Sequence, residues 1–267
     1  MERIKINMEK SRKRNAERLQ MEKEGRPNAS SYSGSGSNKS NYKCSICHDT
    51  GWILTRQEHA QPLAHPCECT KRRQSKKQWK SCGLNPEMHE YTFTSIKVWN
   101  EASKNAKDTA VAYYTDFNNI RKKRINSIIL CGQVGSGKTH LSIALSLNFI
   151  KTGINVVYMP YRDTVTSIKQ NICDNEYYSK TISRFQKCDI LLIDDLFKGK
   201  VSESDINIMF EIINYRHLNF MPVIVSSEFP IEKILDFDEG IGSRIYEMCR
   251  DYIVENKRDF KNNYRLR

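Results

Sequence analysis

The run Gly132-Gln133-Val134-Gly135-Ser136-Gly137-Lys138-Thr139 constrains this chain more than any other feature. It has the form G-x-x-x-x-G-K-[ST], and it stands where that form has a mechanism. A short apolar run at 127–131 (SIILC) precedes it, and helix-forming residues at 138–151 follow it and stop at Gly153. The glycines let the backbone curl so that successive N–H groups face phosphate oxygens at the positive end of a helix. Lys138 places a cation on the β- and γ-phosphates, and the Thr139 hydroxyl is a magnesium ligand. Residues 132–139, with the adjoining His140, are therefore candidate nucleotide-binding residues.

A second element stands about fifty residues later, on the same logic. The run 189–194 (DILLID) is a buried-strand pattern that delivers Asp194 at its carboxyl end, with Asp195 next. In a parallel sheet that end lies beside the phosphates. Asp194 is assigned to the magnesium ion, and Asp195 to polarising the attacking water; a plain turn or helix cap is the other reading of Asp195. Further strands are expected at 155–159 (NVVYM), 222–227 (PVIVSS) and 252–254, alternating with a long, mostly helical stretch at about 163–187 and helices at 202–218 and 242–250. Ser202 and Asp205 form a variant capping box, and Asn85-Pro86 reads as another helix start. Short strands alternating with helices predict an α/β domain with a parallel sheet covered on both faces.

The 267 residues carry a net charge of +12, unevenly placed. Residues 1–82 hold 18 Lys and Arg against 8 Asp and Glu, whereas 83–267 are nearly balanced. That asymmetry fits attraction to a phosphate backbone or an acidic partner, and equally a solubilising tail. Segment 1–28 reads as a charged helix with too narrow an apolar stripe to fold alone, and 29–41 as a flexible Ser/Gly linker. A basic stretch at 71–80 holds no acid. No run approaches the roughly 20 apolar residues of a membrane span, and the charged start does not resemble a secretory signal. A cytoplasmic protein without membrane contact is expected.

Nine cysteines, an odd number, argue against a disulfide framework in that setting. Cys44 and Cys47 form C-x₂-C, and Cys67 and Cys69 form C-x-C after a gap of 19 residues. Two thiolate pairs complete a closed, structural zinc site; His48 or His65 could replace one cysteine, and redox-active thiols are the alternative. Segment 42–82 is thus read as a zinc-binding module with a basic tail, and 83–267 as the nucleotide-binding domain.

At this point the chain resembles the DnaC-like branch of the AAA+ ATPases, which includes helpers of the IstB type. The carrying residues are 132–145 (GQVGSGKTHLSIAL), 191–196 (LLIDDL), 210–217 (FEIINYRH), 222–228 (PVIVSSE), 242–248 (GSRIYEM) and 263–265 (NYR), and the Cys-x₂-Cys followed by Asp-Thr-Gly-Trp agrees. The resemblance implies a five-stranded sheet, nucleotide bound between subunits, and Arg244 as an arginine finger reaching the next subunit's γ-phosphate. A surface arginine capping its helix is the other reading of Arg244. Arg216 is a further candidate near that boundary, and Arg265 a late sensor. Ser226, Ser227 and Glu228 fall where a polar sensor, often asparagine, is expected, and Glu228 departs from that pattern. Tyr161, Arg162, Lys169, Tyr177, Tyr178, Lys180 and Arg184 lie where this branch carries a DNA-contacting insertion, while 121–124 reads as a solvated basic turn. The implied function is an ATP-dependent loader of the hexameric replicative helicase onto single-stranded DNA, self-associating through its AAA+ domain. The alternatives are a transposition helper directing a transposase to target DNA, and a non-hydrolysing helicase adaptor or inhibitor.

Overall fold

The computed structural model describes residues 42–55, 63–70 and 82–266. The expected helix at 1–28, the linker at 29–41 and the basic stretch at 71–80 lie outside the described residues. Ile46–Arg267 forms one compact unit, and every regular element described below belongs to it.

Two short strands, β1 (Trp52–Thr55) and β2 (Leu63–Pro66), pair antiparallel. After them, Asn85 caps a turn of 3-10 helix, Pro86–Glu90, by accepting the Glu87 N–H at 3.2 Å. The helix expected at Asn85-Pro86 is thus only five residues long. The long helix of this region is α1 (Glu101–Ile120), opened by a capping box between Asn100 and Ser103. Its buried stripe, Ser103, Ala106, Ala110, Tyr113 and Phe117, steps by threes and fours along one face.

From here strands and helices alternate: β3 (Ile128–Gly132), α2 (Lys138–Lys151), β4 (Val156–Pro160), α3 (Tyr161–Gln170), α4 (Asn175–Lys187), β5 (Ile190–Asp194), α5 (Glu203–Leu218), β6 (Val223–Ser227), α6 (Ile231–Phe237), α7 (Glu239–Cys249) and β7 (Ile253–Asn256). The five later strands form the expected five-stranded parallel sheet, in the order β4-β5-β6-β3-β7. The mostly helical stretch expected at about 163–187 is two helices, because Asp174 starts α4 afresh by accepting the Tyr177 N–H. Helix α7 begins three residues before the expected Gly242, where Asp238 caps Ile241 at 2.7 Å.

The strand residues divide between two cores, which is why these strands read as unbroken apolar runs rather than alternations. Ile129, Leu191, Ile193 and Val225 face one layer with Ile168, Phe185, Met209 and Ile245. Ile128, Leu130, Leu192 and Ile224 face the other, against Tyr113, Phe117, Leu145 and Phe149. In that second layer the Phe149 ring lies 4.5 Å from Phe117 and 6.0 Å from Tyr113. Because all five strands run the same way, Gly132, Pro160, Asp194, Ser227 and Asn256 end on one edge of the sheet. A crevice outside the carboxyl ends of parallel strands is where such folds bind ligands.

Arg216, a candidate for a subunit boundary, is not on the surface of this chain. It is fully buried on α5, and its guanidinium donates to the carbonyls of Phe185, Cys188 and Pro222, tying α4 and β5 to β6. A buried cation needs this many acceptors, since leaving it unpaired costs several kcal/mol (about 3–5 in mutational data).

Candidate functional site: the P-loop cleft and the cysteine cluster

The turn between β3 and α2 opens a cleft of about 650 Å³. Val134 through His140 line it, together with Asp194, Asp195 and Glu228 and with Tyr91, Trp99, Tyr264 and Arg265. The loop owes its course to three glycines at positive φ, Gly132, Gly135 and Gly137. A Cβ on Gly132 (φ +102°) would meet the Asn256 carbonyl oxygen at 2.1 Å, and one on Gly135 (φ +77°) would meet Asn263 Oδ1 at 2.0 Å. Both clashes come from the end of the chain, which straps the loop from outside. The Gln133 N–H donates to the Asn256 carbonyl at 3.0 Å, and the Tyr264 N–H donates to the Gly135 carbonyl at 2.9 Å. The Gln133 side chain turns away from the cleft to accept the Asp259 N–H at 2.6 Å. Trp99 donates its indole N–H to the Lys261 carbonyl at 3.2 Å and packs against Tyr264 at 5.1 Å.

Lys138 opens α2 and is buried. Its amine donates to the Gly132 and Gln133 carbonyls at 2.8 and 2.7 Å. Burial lowers its pKa, and the carboxylates of Glu228 and Asp195 work against that shift. The adjacent Thr139 hydroxyl donates to Asp194 Oδ1 at 3.1 Å, joining the P-loop to the end of β5. Tyr158 donates to Asp194 Oδ2 at 3.1 Å, and Ser226 donates to Oδ1. Burial raises the Asp194 pKa, and these three donors oppose it by stabilising the charged form. The half-buried Thr139 hydroxyl and the buried Asp194 carboxylate, already in contact, are a chemically fitting oxygen pair for magnesium.

Asp195 sits in the left-handed region at φ +57°, and Phe197 follows at φ +63°. Such positions are uncommon for side chains of this bulk and persist where the surroundings fix them. Here Leu196 and Phe197 are fully buried, the Asp195 N–H donates to Ser226 Oγ at 2.9 Å, and the Leu196 N–H donates to the Ser226 carbonyl at 2.8 Å. Ser226 and Ser227 thus brace the turn after β5, with Ser227 Oγ donating to the Leu196 carbonyl. Glu228 alone of the three faces the cleft, and Lys198 lies between it and Asp195. His140 stacks at 4.7 Å on Tyr91 and contacts Ser95 Oγ at 3.1 Å; burial lowers its imidazole pKa.

Arg244 does not line this cleft. It stands on α7, half-buried, donating to Asn214 Oδ1 at 3.1 Å and the Gly240 carbonyl at 2.7 Å, with its guanidinium over Phe210. Of the residues singled out for DNA contact, Tyr161 is buried edge-on against Phe197. Lys169 pairs with Asp205, and Tyr178 donates to Glu211 at 2.6 Å. Arg162, Lys180 and Arg184 remain exposed. In the basic turn at 121–124, Arg124 lies over Phe220 and near Glu247. Sequence reasoning missed Tyr158 and Lys198, which no motif flags, and Trp99, which reaches the cleft through the strap.

The four cysteines of the predicted metal module converge. The sulfurs of Cys44, Cys47, Cys67 and Cys69 lie within 4.8 Å of one another. Tetrahedral thiolate coordination with metal–sulfur bonds of about 2.3 Å needs sulfurs about 3.8 Å apart, so the group fits a metal ion. The Asp-Thr-Gly turn builds the site. His48 and Asp49 take positive φ, the Gly51 N–H donates to Cys47 Sγ at 3.3 Å, and the Cys67 N–H donates to the Gly51 carbonyl at 2.8 Å. His48 and His65 are exposed and do not join the group.

Residues 68–238 match the family model of the IstB-like ATP-binding proteins. The chain is 35% identical over 239 residues to the phage-like element PBSX protein XkdC of Bacillus subtilis, covering 86% of this chain and 88% of that one. It is 37% identical over 209 residues to the uncharacterized protein YqaM of Bacillus subtilis, covering 75% of this chain and 66% of YqaM. The chain thus spans just under two thirds of YqaM. The crystal structure of the DnaC helicase loader superimposes with a TM-score of 0.56 at 20% identity, over 64% of this chain and 99% of that one, which is a likeness of fold. The α/β architecture is AAA+-like. Among the described residues, no helix is long and apolar enough to cross a membrane.

Proposed function

The chain belongs to the IstB-like ATP-binding family, and from that membership we propose that it is an ATP-hydrolysing loader of a hexameric replicative helicase onto single-stranded DNA. The observation that carries the nucleotide part is the convergence of Lys138, Thr139, Asp194 and Asp195 on one cleft at the carboxyl edge of the sheet. The loader part is supported by the likeness of fold to the DnaC helicase loader and by the basic excess of residues 1–82.

In this reading the N–H groups of residues 135–139 cradle the phosphates and Lys138 draws charge from the β- and γ-oxygens. Magnesium, held by Thr139 and Asp194, would neutralise charge developing on the phosphates. Tyr158 and Ser226 keep the Asp194 carboxylate turned to its task, and Asp195 orients water toward the terminal phosphorus. Arg244 from a neighbouring copy would complete the site, a contribution worth roughly 10³–10⁵ in rate in other nucleotide hydrolases. Zinc would close the four-cysteine group as a structural ion, since four thiolates leave no position for a reacting water. Segment 1–28 and the 42–82 module would grip the helicase across the 29–41 tether. Domain 83–267 would self-associate in the cytoplasm and hold single-stranded DNA, with Arg162, Lys180 and Arg184 as the exposed cations.

Native mass spectrometry of the protein with a replicative helicase, ATP and magnesium tests the loader reading. A defined complex with the hexamer, lost in Lys138→Ala, is the expected result. No complex in any nucleotide state would overturn it. The family match favours the transposition-helper reading as the second choice. Under that reading no complex forms with the helicase, and the same measurement with a transposase in its place yields one.

A further inference from the structure

Three carboxylates, Asp194, Asp195 and Glu228, face the end of the cleft where a terminal phosphate would sit, and a polyanion entering there meets like charge. Lys138 is one balancing cation. Lys198 is another, and it is the one paired with these carboxylates: its amine lies 2.7 Å from Asp195 Oδ2 and 3.1 Å from Glu228 Oε1, and it lines the same cleft. The backbone that carries it is pinned, since Leu196 and Phe197 on its amino-terminal side are fully buried and the Lys198 N–H donates to the Asp195 carbonyl at 3.1 Å. The side chain itself is 46% exposed, so it can take another acceptor. An ammonium has three donors, and the two carboxylates use two of them. Lys138 senses Glu228, Asp195 and Lys198 together, so these groups share one local field.

We propose that Lys198 is a second phosphate-contacting cation of the nucleotide site, held in place by Asp195 and Glu228, and that it makes the cleft favour a nucleoside triphosphate over the diphosphate. The proposal rests on the ATP-binding reading above. The P-loop N–H groups and Lys138 serve both nucleotides, because they reach the inner phosphates. Lys198 stands beyond them, beside the carboxylate assigned to the attacking water, where only a terminal phosphate arrives. Glu228 is a positioning residue: paired with Lys198 it aims the amine, and unpaired it would repel the ligand.

The test is equilibrium binding of ATP and ADP, with magnesium, to the full chain and to the variants Lys198→Ala, Lys198→Gln, Lys198→Arg and Lys198→Ala/Glu228→Gln. Loss of a hydrogen bond between two charged groups predicts about a 10–100-fold weaker ATP affinity in Lys198→Ala and Lys198→Gln, with ADP affinity changed by less than about threefold. Lys198→Arg keeps much of the preference. The double variant recovers part of the lost ATP affinity, because the stranded carboxylate is gone. A purely structural role for Lys198 would weaken both nucleotides equally. An unchanged ratio of ATP to ADP affinity in both Lys198→Ala and Lys198→Gln overturns this inference and leaves the ATP site standing. Failure of the unaltered chain to bind either nucleotide overturns the ATP reading, and this proposal with it.

Discussion

Lys138 and Thr139 stand at the head of a helix that buries Leu141, Leu145, Leu147, Phe149 and Ile150 against a five-stranded sheet. Cys44, Cys47, Cys67 and Cys69 stand on turns around a hairpin of two four-residue strands. Near those turns Ile46 and Trp52 are more than half exposed, and the buried side chains are Cys47 and Cys67 themselves. The first site is preorganised by apolar packing that does not depend on its ligand. Among its described residues the second has little to bury, so a bound metal ion would supply the folding energy. The contrast separates a site the core holds open from one that the ion itself would build.

Removing the metal is the sharpest way to break that comparison. Chelation, or Cys67→Ser, should withdraw apparent binding energy on the order of 10–16 kcal/mol from segment 44–70. Hydrogen exchange should then show the N–H groups of Gly51 and Cys67 losing protection while β3, β5 and β6 keep theirs. Equal loss in the sheet would mean that the two regions are not energetically separate. The converse perturbation is Phe149→Ala, which empties the aromatic layer under α2 and should cost about 3–5 kcal/mol of global stability. Thermal melting followed by circular dichroism measures it, and metal affinity of the cysteine cluster should stay constant.

Lys138→Ala tests whether the cleft is held by packing alone. Turnover of ATP should fall by about 10²–10³-fold, the scale for losing one preorganised electrostatic group. The melting temperature should change little, because the lysine's bonds are to loop carbonyls and its burial is itself unfavourable. A smaller effect concerns Asp205 at the start of α5. Burial works against its charge, but Lys169 and Ser202 donate to it and hold its pKa below the ordinary 3.8. A depressed folded-state pKa contributes stability above the unfolded value that is lost as pH falls through the folded one. Acid titration should therefore destabilise the protein below pH 3.8, and Asp205→Asn should flatten that slope at a cost of about 1–3 kcal/mol at neutral pH.

Much of this was legible in the residues. The P-loop, the four main strand runs, Asp194 and the paired cysteines rest on local patterns whose meaning survives without the rest of the molecule. The α1 helix was not read from the sequence, because its stripe of Ala106, Ala110, Tyr113 and Phe117 is built partly of small residues and offers a weak apolar signal. Arg216 carries the opposite lesson. A charged residue in a family-like position suggested a surface, and only the packing of α5 against the end of α4 shows that its partners are buried carbonyls.

What the sequence by itself determined is the chemistry: a phosphate-cradling turn, a carboxylate at a strand end, and thiols in pairs. Each depends on neighbours within a few residues, so spacing alone specifies it. What only the tertiary structure decided is which distant groups complete that chemistry. Tyr158 and Ser226 lie 36 and 32 residues from the Asp194 they hold, and Asn263 closes on Gly135 from the far end of the chain. Glu228 reaches Lys198 across the turn from the next strand. These partners are chosen by the strand order β5-β6-β3 and by the chain's return over the loop, and such long-range closure follows from burying two cores at once rather than from any local pattern.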